Sequence, residues 1–466
     1  MRKVPGTMRE AQANPRGANR RAGPAIGRVA GGGLAVVLSI LFWSIFYQNL
    51  PSNLGLHGPD AVAVAVTEGD LSYASTVDRI LKICMIAMSI YVMVRHWPLT
   101  RSVAKNLNLG AAALLALAPL SAVWSISPNG TLLRSVSLAA IVLVCFAVCL
   151  VGWHRQRFQQ LSLPPLMSIL IASLVLGIIF PDQIKEFGDD LSLRGAWHGI
   201  MITKNQFGMT ASFGVIFCAS RWLAQQGRAS WTIAGGAVAF VCLILSKSNT
   251  SLFATLLCLL FMGLVIRVPV IKQRYSTHVT VAIAVTLLLY ELAIQNVIPG
   301  AYTLLTPIRE LTGKDTTLSA RTIIWDIIKD HIEYAPKLGS GYGAYWIGPV
   351  IESPSYVFTY RMYFYPTEAH NGYLDIVNDL GYVGLACLLV FIVSYIRQAL
   401  QLMRTDRSQA TLYLALLFQQ MVMNMSESEW LARDSTFVIL LLATACLSRT
   451  LRDARLQTPL PVSPAR

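Results

Sequence analysis

Apolar runs recur along almost the whole chain, each close to the length that a bilayer crossing requires. A helix needs about 20 predominantly apolar residues to span the hydrocarbon layer, and there it satisfies its own backbone N–H and C=O groups. Runs of this kind fall at 29–48, 77–94, 107–124, 135–153, 163–180, 199–220, 231–246, 250–266, 277–298, 371–396, 410–426 and 435–448. No soluble core could hide so many. Hydrophobic residues make up 54% of the chain and charged residues 13%, the latter about half of what soluble domains carry. The expected fold is therefore an all-α polytopic membrane protein with about twelve transmembrane helices. No small-residue cleavage site follows the first run at 34–46, so it is read as an uncleaved helix.

The charge distribution orients these helices. The net charge of +14 comes from 38 Lys and Arg against 24 Asp and Glu. Short cytoplasmic connections retain Lys and Arg, and every second connection is rich in them: Arg95, Arg101 and Lys105; Arg155 and Arg157; Arg221 and Arg228; Arg267, Lys272 and Arg274; Arg397, Arg404 and Arg407. The intervening connections are poor, and 51–77 contains neither Lys nor Arg. The tail at 1–28 carries seven basic residues against Glu10, and the tail at 449–466 carries Arg449, Arg452 and Arg455. Both termini are thus expected in the cytoplasm, the first as a disordered segment. The excess charge is largely a topology signal, so nucleic acid is not expected as a partner. All eight cysteines lie in apolar stretches without CxxC pairs, which argues for packing roles and against a disulfide framework.

The expected division is a tail at 1–28, helices one to nine over 29–298, a loop at 299–369, helices ten to twelve over 370–448, and a tail at 449–466. The loop, placed on the periplasmic side by the count, is long enough to expect a function. Its stretch 319–334 reads as an amphipathic helix, with Ile323, Ile324, Ile327 and Ile328 on one face and Asp326, Lys329, Asp330 and Glu333 on the other. A glycine-rich turn at 339–343 follows, then an aromatic run at 356–365.

Polar groups beside apolar spans are costly and mark candidate sites. On the expected periplasmic side these are Arg194, then Lys204 and Asn205 at the start of span six, Arg321 in the loop helix, His370 and Asn371 before span ten, Asp375 and Asp379 within it, and Glu427 after span eleven. Three cations and a histidine on one face suit a diphosphate held beside lipid: arginine offers a planar donor fork to phosphate oxygens, and imidazole can take a proton near neutral pH. Ordinary roles compete for each residue. Arg194 reads equally as a loop charge, Lys204 as a snorkelling side chain, Arg321 as a partner of Asp326, and His370 as an interfacial or capping residue. His198 beside Trp197 reads as interfacial, Asp375 and Asp379 as partners of neighbouring helices, and the tyrosines as an interfacial belt or a sugar-stacking surface. No Cys/His spacing suits zinc, and no Gly-rich phosphate loop is present.

In order along the chain, the segments GAWHGIMITKNQFG, SARTIIW, LGSGYGAYW, HNGYLDIVNDLGYVG and NMSESEW resemble the motifs of the O-antigen ligase and Wzy-type polymerase superfamily, most of all its exopolysaccharide polymerase (ExoQ-like) branch. The likeness covers roughly 190–430; Ala320 stands where a glycine is usual, and Asp379 where a glutamate is usual. The resemblance implies a glycosyltransferase of GT-C type in the bacterial inner membrane, with its active site at the periplasmic face. It implies inverting, metal-independent transfer of undecaprenyl-diphosphate-linked glycan to the hydroxyl of another lipid-linked repeat unit, without a cofactor. Arg194, Arg321 and His370 would then be catalytic, the arginines gripping diphosphate and His370 accepting the hydroxyl proton. Lys204, Asn205, Asn371, Asp379 and Glu427 would bind substrate. A chain-length regulator and a flippase are the expected partners beside the lipid-linked oligosaccharide and the bilayer.

Two rivals stand beside polymerase. A ligase would pass the same donor to lipid A–core or protein, and the acceptor is poorly encoded in sequence. A flippase or transporter would match the span count, but no internal repeat is evident, and the link between spans six and seven is only about ten residues long.

Overall fold

A computed structural model describes residues 32–47, 76–185, 194–297, 316–348, 351, 353–362, 365–433 and 435–457. The tail at 1–28, most of the outer segment 51–77, the first part of the long loop and the end of the second tail lie outside them. Among the described residues the chain is helical, with only an isolated bridge between Lys185 and Trp197. The principal helices are α1 (Gly32–Ser44), α2 (Thr76–Arg95), α3 (Trp97–Ala104), α4 (Leu109–Leu120), α5 (Pro128–Ala147), α6 (Arg157–Ile179), α7 (Lys204–Leu223), α8 (Ala229–Leu245), α9 (Asn249–Arg267), α10 (Ser276–Ile294), α11 (Thr316–Ile332), α12 (Gly372–Leu402), α13 (Arg407–Met423) and α14 (Ser435–Gln457). Each of the twelve apolar runs falls on one of them.

Among the described residues, five helical segments are long and apolar enough to cross a membrane: Pro128–Ala147, Arg157–Ile179, Asn249–Arg267, Ile271–Ile294 and Gly372–Leu402. A sixth candidate is the pair Trp97–Ala104 and Leu109–Val123, bent by 105° at its break. Gly32–Tyr47 and Ala229–Leu245 are apolar but shorter. The chain is a multi-pass membrane protein. At its centre lies α13, buried continuously from Gln409 to Met423 and flanked by α7, α9 and α12. Small residues permit the tightest crossings. A side chain at Gly110 of α4 would meet the backbone of Phe391 in α12 at 2.2 Å, and Asn108, the cap of α4, donates to the Phe391 carbonyl at 3.3 Å.

The connections sort into two ends, as their charges predict. At the basic end Arg155 Nε meets Asp406 Oδ2 at 2.5 Å, Gln398 donates to the Asn106 carbonyl at 3.1 Å, and Arg452 donates to Ser102 Oγ at 3.0 Å. At the other end the Trp124 indole donates to the Leu338 carbonyl at 2.9 Å, and Ser426 Oγ donates to Thr250 Oγ1 at 3.1 Å. Lys329 Nζ donates there to the Gln295 carbonyl at 3.1 Å.

Span ten is not one helix. Gly381 adopts φ 65° and ψ −168°, which breaks α12 nine residues after its start. A break inside a span exposes backbone groups that need partners, and the loop supplies them. Ser340 N and Gly341 N donate to the carbonyls of Asn378 and Asp379 at 2.9 and 2.8 Å, while Tyr382 N and Val383 N donate to those of Pro336 and Lys337 at 2.9 and 3.2 Å. The glycine-rich turn thus plugs the break.

Helix α11 confirms the expected amphipathic element with its face rotated. Ile324, Trp325, Ile327, Ile328 and Ile332 are buried, whereas Ile323 is exposed. The rotation follows from Trp325, whose indole reaches the Ala369 carbonyl at 2.9 Å and pulls that residue inward.

Candidate active site

At the end of the bundle that holds the loop, three side chains from three separate segments meet on Glu427. Asn205, in the first turn of α7, donates to Glu427 Oε1 at 2.7 Å. Arg321 of α11 reaches the same oxygen at 3.1 Å. His370 Nδ1, just before α12, lies 3.5 Å from Oε2 and 2.9 Å from Oε1 of Glu368. Of the residues singled out from the sequence, the structure brings Asn205, Arg321, His370 and Glu427 together, and Glu368, which the sequence reading does not single out, joins them. Its signal was its position two residues before the histidine.

Local structure fixes the geometry. The turn after α13 is shaped by Asn424, whose side-chain oxygen accepts from the N–H groups of Glu429 and Trp430 at 2.9 and 2.7 Å. Gly372 N donates to the carbonyls of Asn424 and Glu427 at 2.9 and 3.0 Å, and a side chain at Gly372 would strike Asn424 Oδ1 at 1.9 Å. The start of α12 and the Glu427 turn are thereby locked together. His370 itself has φ 50°, a left-handed backbone that is costly without glycine and typical of functional sites.

Asp375 braces the same corner. It accepts from the Trp346 indole at 2.8 Å and from Ala369 N at 2.9 Å, and Ser428 Oγ completes its shell. Of the two readings open for Asp375, partnership with neighbouring segments is the one observed. Asn371 caps α12 by accepting from Leu374 N at 2.9 Å, and its amide donates to Glu291 Oε1 at 2.8 Å. Glu291 is 5% exposed within an apolar run, so its burial beside lipid-facing residues marks it as a further member of this corner.

The other candidates stand further out. Asp379 accepts from Gly343 N at 2.6 Å, so it holds the glycine-rich turn, beside Arg134. Arg134 in turn donates to the Trp346 carbonyl at 3.0 Å. Lys204 opens α7, half-buried. The Arg194 side chain is exposed, and its carbonyl accepts from Lys247 Nζ at 2.9 Å. Lys247 belongs to the turn before α9, whose Thr250 touches Ser426, the neighbour of Glu427. Arg194 thus joins the same end of the molecule without a described contact to the Glu427 cluster. His198 stays local, with Nδ1 at 3.1 Å from the Met201 carbonyl.

The electrostatics follow from two carboxylates enclosing an imidazole. Burial alone would lower the pKa of His370, but contact with Glu368 and Glu427 outweighs it and raises the value to about 10. Burial raises Glu368 to about 7, with the Glu427 charge adding to it and His370 opposing. Glu427 lies below the ordinary carboxylate range: burial would raise it, but His370 and Arg321 prevail. The ligand atoms of Glu368, His370 and Glu427 fall within 4.8 Å of one another, close enough for a cation. Arg321 and Asn205 already occupy Glu427 Oε1, and two positive groups balance the two carboxylates, so the cluster reads as an ion-pair network. Its free chemistry is a guanidinium fork, a cationic ring and a carboxylate, side by side at the end of a membrane bundle.

Sequence comparison relates this chain to known proteins. Residues 234–389 match the O-antigen ligase family model, a stretch that includes Arg321, Glu368, His370 and the broken helix. The chain is 25% identical over 313 residues to the exopolysaccharide production protein ExoQ of Rhizobium meliloti (strain 1021), covering 63% of this chain and 67% of that one. The resemblance drawn from the motifs is borne out.

Proposed function

We propose that this protein polymerises a bacterial surface or exported polysaccharide, moving undecaprenyl-diphosphate-linked glycan onto the hydroxyl of another lipid-linked repeat unit at the periplasmic face of the inner membrane. The observation that carries this reading is the meeting of Arg321, His370 and Glu427 beside Asn205, at the end opposite the basic connections. Similarity to an exopolysaccharide production protein favours a polymer product.

The chemistry follows from charge. As the glycosidic bond breaks, negative charge gathers on the departing diphosphate, and cations already in place stabilise that state. Losing one such contact typically costs about 10²–10³ in rate. Arg321 presents guanidinium nitrogens beyond the one on Glu427, and Arg194 and Lys204 add positive charge at the same end. Asn205, Asn371 and Glu427 orient the cluster, and Asp379 holds the turn beneath it. The cluster around His370 receives the proton of the attacking hydroxyl. Attack from the face opposite the diphosphate inverts the anomeric carbon, and diphosphate leaves well enough that the step is written without a metal. The long loop would cover the site, exclude water and suppress hydrolysis.

The O-antigen ligase family match supports a second reading, transfer to lipid A–core or to protein. Lipid extracts of a strain carrying Arg321→Ala separate the two. Polymerase activity predicts that lipid-linked single repeat units accumulate and polymer is lost; ligase activity predicts accumulation of long lipid-linked polymer. Wild-type polymer at wild-type length would exclude Arg321 from the reaction.

A further inference from the structure

We infer that Glu368 is the base that takes the proton of the acceptor hydroxyl, and that His370 serves beside it as a cation. This rests on the transfer reaction proposed above and names the atom that receives its proton.

Three observations carry it. The first is how the two carboxylates are occupied. Glu427 is 8% exposed, with one oxygen taken by Asn205 and Arg321 and the other facing His370. The Glu368 side chain is 32% exposed and lies 2.9 Å from the ring, so a hydroxyl can reach it. The second is the position of the ring. An imidazole enclosed by two carboxylates is favoured as its cation, and an imidazolium has no lone pair with which to accept a proton. The third is the imbalance between the carboxylates. Like charges this close oppose full ionisation of both. Arg321 and Asn205 favour the anion at Glu427, which leaves Glu368 as the carboxylate whose proton affinity rises to about 7, where a general base works best at neutral pH. The charged and titratable groups facing Glu368 are His370, Glu427 and Asp375, with Arg321 behind Glu427.

The step balances without a further reactant. The hydroxyl proton passes to a Glu368 oxygen as the hydroxyl oxygen bonds to the anomeric carbon. The bond from that carbon to the diphosphate oxygen breaks, and its electron pair leaves with the diphosphate, beside Arg321 and the imidazolium. Glu368 then releases the proton to solvent.

The test uses the full-length protein in lipid nanodiscs with a synthetic diphospholipid repeat unit as both donor and acceptor. Glu368→Gln should lose about 10²–10⁴ in rate while its affinity for the diphospholipid changes less than about threefold, and the rise in wild-type rate centred near pH 7 should vanish. Glu368→Ala should regain at least about tenfold on addition of formate, a small carboxylate that can stand in for a missing base but not for a missing strut. Retention of more than about a tenth of the wild-type rate in Glu368→Gln would overturn the assignment. Failure of formate to restore Glu368→Ala would overturn it too, by assigning a structural role. If the wild-type protein transfers nothing, the proposed function falls and this assignment with it; if wild type and Glu368→Gln transfer equally, only the assignment falls.

Discussion

Glu427 organises the site because α7, α11 and the segment before α12 all touch its carboxylate. Removing its charge strands the cations around it, and leaving a hydrogen-bonded charged group partnerless costs about 1–3 kcal/mol. The consequence for stability against pH can be signed. His370 is held protonated well above its ordinary value, so its contribution is complete below about 6.5 and is lost as pH climbs through about 10. Glu368, also raised, loses its contribution as pH climbs through about 7, where it is half ionised. Glu427, lowered, contributes from the mildly acid range upward and is lost only as pH falls through its depressed value. The window between about 7 and about 10 therefore belongs to the imidazole. Glu427→Gln is expected to melt several degrees lower at pH 7, and its alkaline loss of stability should begin at lower pH than in wild type. Parallel melting curves across that window would show that Glu427 does not hold the ring charged. Sequence identified His370, Arg321 and Glu427 because each is a charge beside an apolar run. Asp379 reads with Glu427 as a substrate-binding residue, since both aspartates of α12 follow at helical spacing, and nothing in the spacing says that a kink at Gly381 turns Asp379 toward Gly343.

Among the elements, the broken helix matters most. The segments LGSGYG and DLGYVG were legible as two separate glycine-bearing motifs, and the structure shows that each accounts for the other. Gly381 is needed for its positive φ and because a side chain there would lie 2.3 Å from the Lys337 carbonyl group. Gly339 in the loop is needed because a side chain there would lie 2.5 Å from the backbone of Asp379. Four backbone hydrogen bonds between the two segments then set the carbonyl that Arg134 grips and the indole that Asp375 receives. Gly381→Ala should cost about 1–3 kcal/mol through backbone conformation alone, with the clash added. Lower thermal stability and loss of polymer are expected together. Gly263→Ala in α9 is the control, since no atom lies within 4 Å of its new methyl group, and it should leave both unchanged. Equal behaviour of the two variants, by melting temperature and polymer yield, would remove the plug from the account. Pairing of this kind joins residues about 40 apart through backbone groups, which carry no sequence signature.

For the whole molecule, hydropathy and charge measure different things, and their partial disagreement is physical. Twelve runs read as spans from the sequence, but among the described residues five helical segments are long and apolar enough to cross, or six with the bent pair. Helix α13 is not among them, being 17 residues long and carrying polar residues. It is wrapped by other helices from Gln409 to Met423, so lipid never tests its polarity, and Thr411, Gln419 and Gln420 are tolerated inside. A crossing helix need only be apolar where it faces lipid, so a hydropathy threshold undercounts the interior of a bundle. The positive residues are unaffected by that, since they mark connections, and connections that share a charge character do touch one another at one end. If that sorting reflects insertion, the two ends face opposite compartments. Lys337 at the site end and Arg404 at the basic end are both exposed and suit a direct check. In a background with the native cysteines replaced, Lys337→Cys should react with a membrane-impermeant thiol reagent in intact spheroplasts. Arg404→Cys should react only after the membrane is opened. Labelling of both from outside would break the twelve-span orientation, and the reverse pattern would place the Glu427 cluster in the cytoplasm, away from any glycan already flipped across the membrane. Either result would leave the ion-pair geometry intact but remove the compartment in which a polymerase of this kind must work.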